Sequence, residues 1–479
     1  MASTFHVEHF GCRAARADGE AVSERLRAAG HCVRQPAEAD VVIVNTCSVT
    51  AEADRVARAF IRRANRLNPE ARIVVTGCYA QRSPEELAGL TGVAAVVGNS
   101  HKALAPGIVL RLLERAANSA AGELIQIQAA TNLERVKSEQ LAPPQMAQMV
   151  WVDDRFAHSF IEAAQVTPGA QTRPNLKIQE GCGNRCTFCV IPSTRGPSKS
   201  LPGATVLRQV EGFVAARGNE LVLSGINLGR WGRDLSDSEG APPRTLAGLV
   251  RKIFEKTPLP RLRLSSIEPM DWNEELIGLM AEFGGTRLAR HAHLPLQSGS
   301  DAVLRRMHRR YRPWHYAEKV AALLRACGAE LTLGADVMVG FPGESDAEFE
   351  ETMALVQALP FGYLHLFPFS PRPGTPGWTL HAERPVPAEA VEERMAALRA
   401  LAAEKTLAHR NRFVDRDLEA ITLHTPAEME ARGRTVALTE NYLPMELEGR
   451  LEANQLVRLR VSGVNAEGTL EAAASENSL

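Results

Sequence analysis

The stretch Cys182-Gly-Asn-Arg-Cys186-Thr-Phe-Cys189 places three cysteines in the spacing CxxxCxxC. It follows the apolar run 176–179, which predicts a short strand. Thiolates are soft ligands that suit iron–sulfur clusters or zinc, but a structural zinc site needs four ligands. No other cysteine and no histidine lies between Ser159 and Arg290. Three thiolates on a four-iron cluster leave one iron open for a substrate. The alternatives are a zinc site completed from far away and three reduced structural thiols.

The composition is that of a globular protein. The 479 residues are 45% hydrophobic and carry a formal net charge of −1, and this length predicts about two to four domains. Eight cysteines are too few for a disulfide scaffold. The chain starts without the basic and apolar segments of a secretory signal, and no apolar run approaches the ~20 residues of a membrane helix. We therefore expect a soluble, cytoplasmic protein with no membrane partner.

Three further cysteines each follow a predicted strand in an N-terminal unit, residues 3–115. Cys12, Cys47 and Cys78 come just after apolar strands that alternate with helices, a pattern typical of a parallel sheet covered on both faces. The carboxyl ends of parallel strands share one edge, where ligands bind, so these thiols should converge on a second three-thiolate site. A single cysteine is more often a small buried hydrophobic residue, and Cys32 lies outside the pattern. The predicted elements are strands 5–10, 40–45, 71–76 and 94–98, a helix 18–30 capped by Asp18 and a helix 51–67.

A second alternation of strands and helices covers residues 173–404 and predicts an incomplete parallel barrel of six βα units. Loops at the carboxyl ends of such strands build the site, and the CxxxCxxC loop follows the first strand. Candidate ligand-binding residues at later strand ends are Ser224, Gly225, Glu268 and Gln297. An arginine-rich run, 305–312, is either a solvated helix face or a set of phosphate contacts. The predicted strands are 176–180, 220–225, 261–267, 291–296, 331–339 and 363–369, and the predicted helices are 203–217, 245–256, 273–283, 313–327, 345–358 and 387–411.

The remaining segments are a linker and a small C-terminal domain. Residues 116–172 are rich in alanine and glutamine and predict a linker with one helix near 155–164. Residues 412–470 contain four short alternating strands, 418–423, 435–439, 442–447 and 456–461, which predict a small β-barrel. In Thr439-Glu-Asn-Tyr442 and Glu452-Ala-Asn454 the segment resembles the RNA-binding TRAM domain, and this resemblance implies Tyr442, Arg458 and Arg460 as candidate RNA contacts. Its acidic residues slightly outnumber its basic ones, so the basic surface expected of an RNA-binding domain is weak.

The CxxxCxxC loop is the signature of the radical S-adenosylmethionine (SAM) enzymes. Together with Gly11-Cys12, Asn45-Thr-Cys-Ser-Val-Thr50 and Thr76-Gly-Cys78, it makes the chain resemble the methylthiotransferases, a radical SAM subfamily with two clusters. Residues 45–54 resemble the branch that acts on N6-threonylcarbamoyladenosine in tRNA. The fold implied by the resemblance is α/β: an N-terminal flavodoxin-like parallel sheet, an incomplete (βα)6 radical SAM barrel and a C-terminal barrel similar to the RNA-binding TRAM domain.

The resemblance also implies cofactors and partners. One 4Fe-4S cluster is expected on Cys182, Cys186 and Cys189, where its open iron binds SAM and a 5′-deoxyadenosyl radical forms. A second 4Fe-4S cluster is expected on Cys12, Cys47 and Cys78, where it presents the sulfur that is methylated and inserted. The residues expected to bind SAM are Ser224, Gly225, Glu268 and Gln297. The implied partners are the tRNA anticodon stem-loop and a low-potential electron donor.

Three alternatives remain open at this point. Within the family, the substrate could be isopentenyladenosine in tRNA or an aspartate of a ribosomal protein. Outside it, the chain could be a non-catalytic metal-containing RNA-binding scaffold.

Overall fold

The computed structural model describes residues 3–118, 149–160, 166–169, 171–235 and 244–472, and only the backbone of residues 115–118. The chain divides into two compact units. One comprises Met1–Glu162 with Ser193–Arg195, and the other comprises Ala163–Pro192 with Gly196–Leu479. Among the described residues, no helix combines the length and the apolar character that crossing a bilayer requires.

The first unit alternates strands with helices along the chain. Its elements are β1 (Thr4–His9), α1 (Arg13–Ala28), β2 (Cys32–Val33), β3 (Val41–Thr46), α2 (Ala51–Leu67), β4 (Arg72–Gly77), α3 (Cys78–Arg82), α4 (Pro84–Ala88), β5 (Val93–Gly98), α5 (Ala105–Asn118) and β6 (Met149–Trp151).

These strands form one parallel sheet in the order β2-β1-β3-β4-β5-β6. This is the flavodoxin-like order, as the sequence predicts, with one strand added at the edge. Every residue of β3 is buried because helices cover both faces of the sheet. The core on one face includes Val42, Val44, Phe60 and Ile73. The first turn of α2 is closed by Thr50, whose hydroxyl accepts a hydrogen bond from the Ala53 amide.

Two predictions for the first unit are corrected. The helix predicted from Asp18 starts earlier, at Arg13, with Cys12 at its N-cap. Asp18 does not cap a helix; it lies buried inside α1. Residues 149–151, placed in the linker by sequence, instead pair with β5 as strand β6. Of the helix predicted near 155–164, residues 155–160 are not helical, and residues 161–165, like 119–148 of the linker, lie outside the described residues.

The second unit contains the CxxxCxxC region, and α6 (Ile191–Arg195) spans the division between the units. Its further elements are β7 (Asn175–Glu180), β8 (Lys199–Ser200), α7 (Gly203–Ala215), β9 (Glu220–Gly225), α8 (Leu246–Lys256), β10 (Arg261–Leu264), α9 (Glu274–Phe283), β11 (His291–His293), α10 (Asp301–Arg306), α11 (Pro313–Cys327), β12 (Thr332–Val339), α12 (Asp346–Ala358), β13 (Phe361–Pro368), α13 (Pro376–Glu383), α14 (Ala388–Asn411), β14 (Asp417–Thr422), α15 (Ala427–Ala431), β15 (Arg434–Thr439), β16 (Pro444–Glu448), β17 (Leu456–Val464) and β18 (Leu470–Ala472).

Six parallel strands build the core of the second unit. β7, β9 and β10 form one sheet, and β11, β12 and β13 form another. The two sheets meet through a parallel bridge between Leu262 and Leu288. The result is the incomplete parallel barrel that the sequence predicts, and its strand carboxyl ends face the loops that follow them.

A closed five-stranded barrel, β14-β15-β16-β18-β17, follows the core. The sequence analysis predicts four of these strands and misses β18, which closes the barrel by pairing with β16 and β17. Leu418, Met445, Leu447 and Leu459 are among the buried residues that fill it.

The barrel packs on the core through buried charges and one aromatic side chain. Glu220 is fully buried and accepts a hydrogen bond from Arg263 at 2.7 Å. The Arg263 guanidinium lies 5.3 Å from the centre of the Tyr442 ring, and that ring packs 4.3 Å from His291. Tyr442 therefore packs on the core and is half-buried, whereas Arg458 and Arg460 are exposed. The RNA contacts of the barrel stay a prediction.

Candidate metal centres and active site

The thiols of Cys12, Cys47 and Cys78 lie at one edge of the first sheet. His9, Asn45 and Thr76 are register partners on neighbouring strands. Cys12, Cys47 and Cys78 follow these register partners by three, two and two residues, so the three are brought to the same edge.

Glycines allow the close approach of these segments. Gly11 has φ +122°, and a Cβ there would lie 2.7 Å from Cys47 Cβ. Gly77 has φ +100°, and a Cβ there would overlap the Thr46 carbonyl oxygen. Only glycine adopts such backbone angles readily, so each Gly-Cys pair sets the position of its thiol.

The three thiols of this trio differ in solvent exposure. Cys47 and Cys78 are buried and Cys12 is exposed. Burial, together with the neighbouring Cys78 and Cys12, raises the pKa of Cys47 to about 12. Because a metal ligand must be the thiolate, metal binding here has to displace a firmly held proton.

Cys78 is surrounded by hydrogen-bond donors. Its Sγ accepts from Asn99 Nδ2 at 3.3 Å and from Arg195 Nε at 3.2 Å. Arg195 also contacts the buried carboxylate of Asp18, which accepts a 2.9 Å hydrogen bond from Lys102. Two buried cations therefore share one acid beside this sulfur.

The thiols of the CxxxCxxC loop line a cavity of about 220 Å³ in the second unit. Cys182 Sγ accepts from the Asn184 amide at 3.4 Å and from Asn227 Nδ2 at 3.6 Å. Burial raises the pKa of Cys182, and burial raises the pKa of Cys189 to about 12.

Arg309 faces the remaining thiol of the loop. It donates to Cys186 Sγ at 3.3 Å and to Glu268 Oε2 at 2.6 Å. Its Nε lies 3.2 Å from the hydroxyl of Tyr311. The side chain is 5% exposed, so a positive charge is held against this sulfur in a dry environment.

The comparisons with known proteins divide the chain in the same way. The model of the uncharacterized protein family UPF0004 matches residues 4–98, and that of the radical SAM superfamily matches residues 176–356. The threonylcarbamoyladenosine tRNA methylthiotransferase of Bacillus subtilis is 34% identical to this chain over 93% of it and 90% of the relative. The chain belongs to the radical SAM methylthiotransferase family.

Two other matches concern the branch of the family and the fold of the chain. The tRNA-2-methylthio-N(6)-dimethylallyladenosine synthase of Cereibacter sphaeroides is 32% identical over 95% of this methylthiotransferase and 95% of the relative. The solved structure of a radical S-adenosylmethionine methyltransferase, TsrM, from Kitasatospora setae has a TM-score of 0.52, with 16% identity over 80% of this chain and 75% of that one. That likeness concerns the fold alone.

The thiol trios of this methylthiotransferase fit clusters better than single ions. In a tetrahedral zinc site with Zn–S bonds of ~2.3 Å, ligand sulfurs lie about 3.8 Å apart. Among the described residues, only His293, Asp336 and His365 bring three ligand atoms within 4.8 Å of one another. The thiols of each trio are therefore spread more widely than one zinc ion requires, whereas a cluster takes each thiolate on a different iron.

The predicted SAM-binding residues fall into two groups. Glu268 and Gln297 line the cavity beside the CxxxCxxC loop, whereas Ser224 and Gly225 do not. Asn227, which follows Gly225 by two residues, lines that cavity instead. Gln297 Oε1, Asn227 Oδ1 and Ser224 Oγ are buried and have no hydrogen-bond partner among the described residues. Such acceptors are costly unless a ligand or water satisfies them, so they suit the amino and hydroxyl groups of a bound molecule.

Asp336 is a cavity residue that sequence reasoning missed. Its carboxylate lies 3.1 Å from His293 Nε2 and 3.2 Å from His365 Nδ1. Burial would raise the pKa of Asp336, but the hydrogen bonds from both histidines hold it well below its usual range. All three residues lie within successive predicted strands of the barrel, 291–296, 331–339 and 363–369, and that position was the signal that could have identified them.

The structure also shows which arginines of the run 305–312 form ion pairs. Arg305 and Arg312 pair with Asp301, and Arg306 pairs with Glu348. Arg309 faces Cys186, and Arg310 is exposed. Most of the run thus forms ion pairs within the fold.

Proposed function

We propose that this chain inserts a methylthio group at C2 of N6-threonylcarbamoyladenosine next to the tRNA anticodon. The observation that carries the proposal is the pair of thiol trios, each at the carboxyl ends of parallel strands and each with N–H donors to a sulfur. Relatives named for this activity, 30–34% identical to the chain, support the substrate.

In this proposal each trio holds a 4Fe-4S cluster: Cys12, Cys47 and Cys78 hold one, and Cys182, Cys186 and Cys189 hold the other. When bound, the clusters and SAM supply the electrons, the radical chemistry and the methylthio group. The chain buries two of the thiols, half-buries the three of the CxxxCxxC loop and donates hydrogen bonds to Cys78, Cys182 and Cys186. Such bonds and burial set the potential of an iron–sulfur centre.

The proposed SAM-binding residues are Ser224, Gly225, Glu268 and Gln297, to which we add Asn227. The acceptors without partners on Asn227 and Gln297 are placed to take hydrogen bonds from the amino and hydroxyl groups of SAM. The Glu268 carboxylate is kept in place by Arg309. These residues bind and orient the molecule, and the surrounding apolar walls exclude water.

The proposal includes partners, location and domains. The substrate is presented by a tRNA anticodon stem-loop whose target base is turned out, as single-stranded RNA targets usually are. A low-potential donor supplies electrons, and the protein acts in the cytoplasm. We divide the chain into a methylthiotransferase domain (3–115, with strand β6), a linker from 116 to about 172, a radical SAM core (173–404) and a TRAM-like barrel (412–470).

The test is the nucleoside content of tRNA. A strain lacking this gene is complemented with the wild-type chain or with Cys182→Ala, and its tRNA is digested and analysed by mass spectrometry. We expect 2-methylthio-N6-threonylcarbamoyladenosine only with the wild-type chain. If that nucleoside is unchanged in the deletion strain, the proposed substrate is wrong.

A second candidate substrate is isopentenyladenosine in tRNA, because a dimethylallyladenosine synthase is nearly as similar, at 32% identity. The same digest decides, since the methylthio derivative of that nucleoside would disappear instead. A non-catalytic scaffold is excluded if anaerobically purified protein contains about eight irons per chain, as two four-iron clusters require, and cleaves SAM when reduced.

A further inference from the structure

A second cavity, of about 260 Å³, adjoins the CxxxCxxC loop, and its wall is rich in cations. Arg185, Arg230, His308, Arg309 and Arg310 line it, with Glu268 as the acid among them. Arg185, His308 and Arg310 are exposed to solvent.

Nearby acids do not balance these arginines. Arg309 is matched by Glu268. Arg230, Arg310 and the adjacent Arg233 share one carboxylate, that of Asp271, whose side chain is fully buried. The three N–O distances are 3.6, 3.4 and 3.3 Å, longer than the roughly 2.7–2.9 Å of a firm charge-assisted hydrogen bond. Most of their N–H groups are thus available to another acceptor.

Arg185 adds a further charge with no acid beside it. Its side chain is exposed, and no ion pair or side-chain hydrogen bond engages it within the part of the chain that the structure describes. Four arginines therefore line a cavity that has one acid, Glu268, in its wall and a second, Asp271, behind two of them, in a chain whose formal net charge is −1. The positive charge is a local feature of this cavity and not of the protein as a whole.

We propose that this cavity binds a backbone phosphate of the tRNA close to the target nucleotide, an inference that rests on the proposed function. The planar guanidinium matches two phosphate oxygens at once. A phosphate contact fixes the register of the RNA without reading its sequence. Since Arg185 lies between Cys182 and Cys186, a phosphate held there would place the adjoining nucleotide beside the neighbouring cavity of the same loop.

The carboxylate of SAM is the competing anion. Arg309, the buried cation between the two cavities, is already occupied by Glu268 and Cys186. The exposed positions of Arg185 and Arg310 instead suit a large ligand that approaches from solvent.

The test compares Arg310→Ala, Arg185→Ala and the double variant with Arg305→Ala in the full chain, anaerobically reconstituted. Arg305 belongs to the same run but pairs with Asp301 on the surface, which makes it the matched control. Binding of an unmodified transcript of the substrate tRNA is measured over a range of KCl concentrations. SAM binding and iron content are measured on the same preparations.

We expect each cavity variant to weaken tRNA binding several-fold and to reduce the slope of log K against log [salt] by about one. The double variant should also lose about one unit of slope, because both arginines contact the same phosphate, while Arg305→Ala, SAM binding and iron content stay unchanged. The loss should be the same for the transcript and for tRNA carrying threonylcarbamoyladenosine, because phosphate contacts do not read bases.

Two results would overturn the inference. Unchanged tRNA affinity and slope in the double variant would show that no phosphate binds here. Loss of SAM binding with intact tRNA binding would assign the cavity to the SAM carboxylate. If the Arg185→Ala protein loses iron, the tRNA affinity and salt slope of Arg310→Ala alone test the inference. If the wild-type chain bound tRNA through these arginines yet left its nucleosides unmodified, the proposed function would fail while this inference stood.

Discussion

Replacement of Arg309 by Gln should make the cluster expected on the CxxxCxxC loop harder to reduce. The guanidinium donates to Cys186 Sγ at 3.3 Å and to Glu268 at 2.6 Å. Reduction adds a negative charge to the cluster, and a cation beside a sulfur stabilises that charge. The Gln side chain is neutral and keeps at most one of these contacts, so the midpoint potential should move to a more negative value.

The size of the shift follows from the hydrogen bond. A hydrogen bond to a charged group contributes about 1.5–3 kcal/mol. A one-electron potential changes by about 59 mV for each ~1.4 kcal/mol. The upper limit is therefore about 65–130 mV, reached only if the bond acts on the reduced state alone.

The assay is a potentiometric titration followed by electron paramagnetic resonance. It uses a background in which Cys12, Cys47 and Cys78 are replaced by Ala, so that the signal comes from one cluster. Arg305→Gln is the control, because Arg305 pairs with Asp301 away from the thiols. An unchanged or more positive midpoint potential in Arg309→Gln would refute the reasoning.

Three further predictions concern cluster assembly, pH and packing. In Gly77→Ala the new Cβ meets backbone atoms, so Cys78 is displaced and iron content should fall by about four per chain. Gly107→Ala, where nothing lies within 4 Å, should keep its iron, and equal iron in both would contradict this. Burial opposes ionisation of Glu220, yet Arg263, Arg173 and Arg261 hold its pKa far below normal. Glu220→Gln should thus cost about 3–5 kcal/mol in urea unfolding at pH 7. The pKa of Glu220 is lower in the folded than in the unfolded state, so the stability lost in Glu220→Gln should still be lost at pH 4 and should shrink only in stronger acid. A difference in unfolding free energy that vanishes by pH 5 would contradict this. Because its ring packs on the core, Tyr442→Ala should lower the unfolding free energy by about 2–4 kcal/mol and leave the Kd for tRNA at a fixed KCl concentration unchanged; a weaker affinity in that titration would show that Tyr442 also contacts the RNA.

Local pattern alone accounts for most of the secondary structure. The strands and helices of residues 173–411 agree with prediction to within a few residues, because hydrophobic period and capping residues act over short distances. Ser345, for example, caps α12 with Glu348 as a capping box. Short elements such as α10 and β18 were missed because they contain too few residues to show a period.

The placement of Cys12, Cys47 and Cys78 after parallel strands was also readable in the sequence, since strand direction brings such positions to one edge. The side chains that donate hydrogen bonds to the thiols of both trios could not be identified from the sequence. Arg195 lies 117 residues from Cys78, and Arg309 lies 123 residues from Cys186.

The tertiary structure decided which charged residues became buried partners. In the sequence Asp18 looked like a helix cap and Arg309 like one member of a solvated run. Only packing shows which of several similar side chains loses water and meets a sulfur, because that depends on segments distant in the chain. The sequence by itself determined most of the strands and helices and the positions of the candidate thiols, and the folded chain determined the electrostatic surroundings of those thiols.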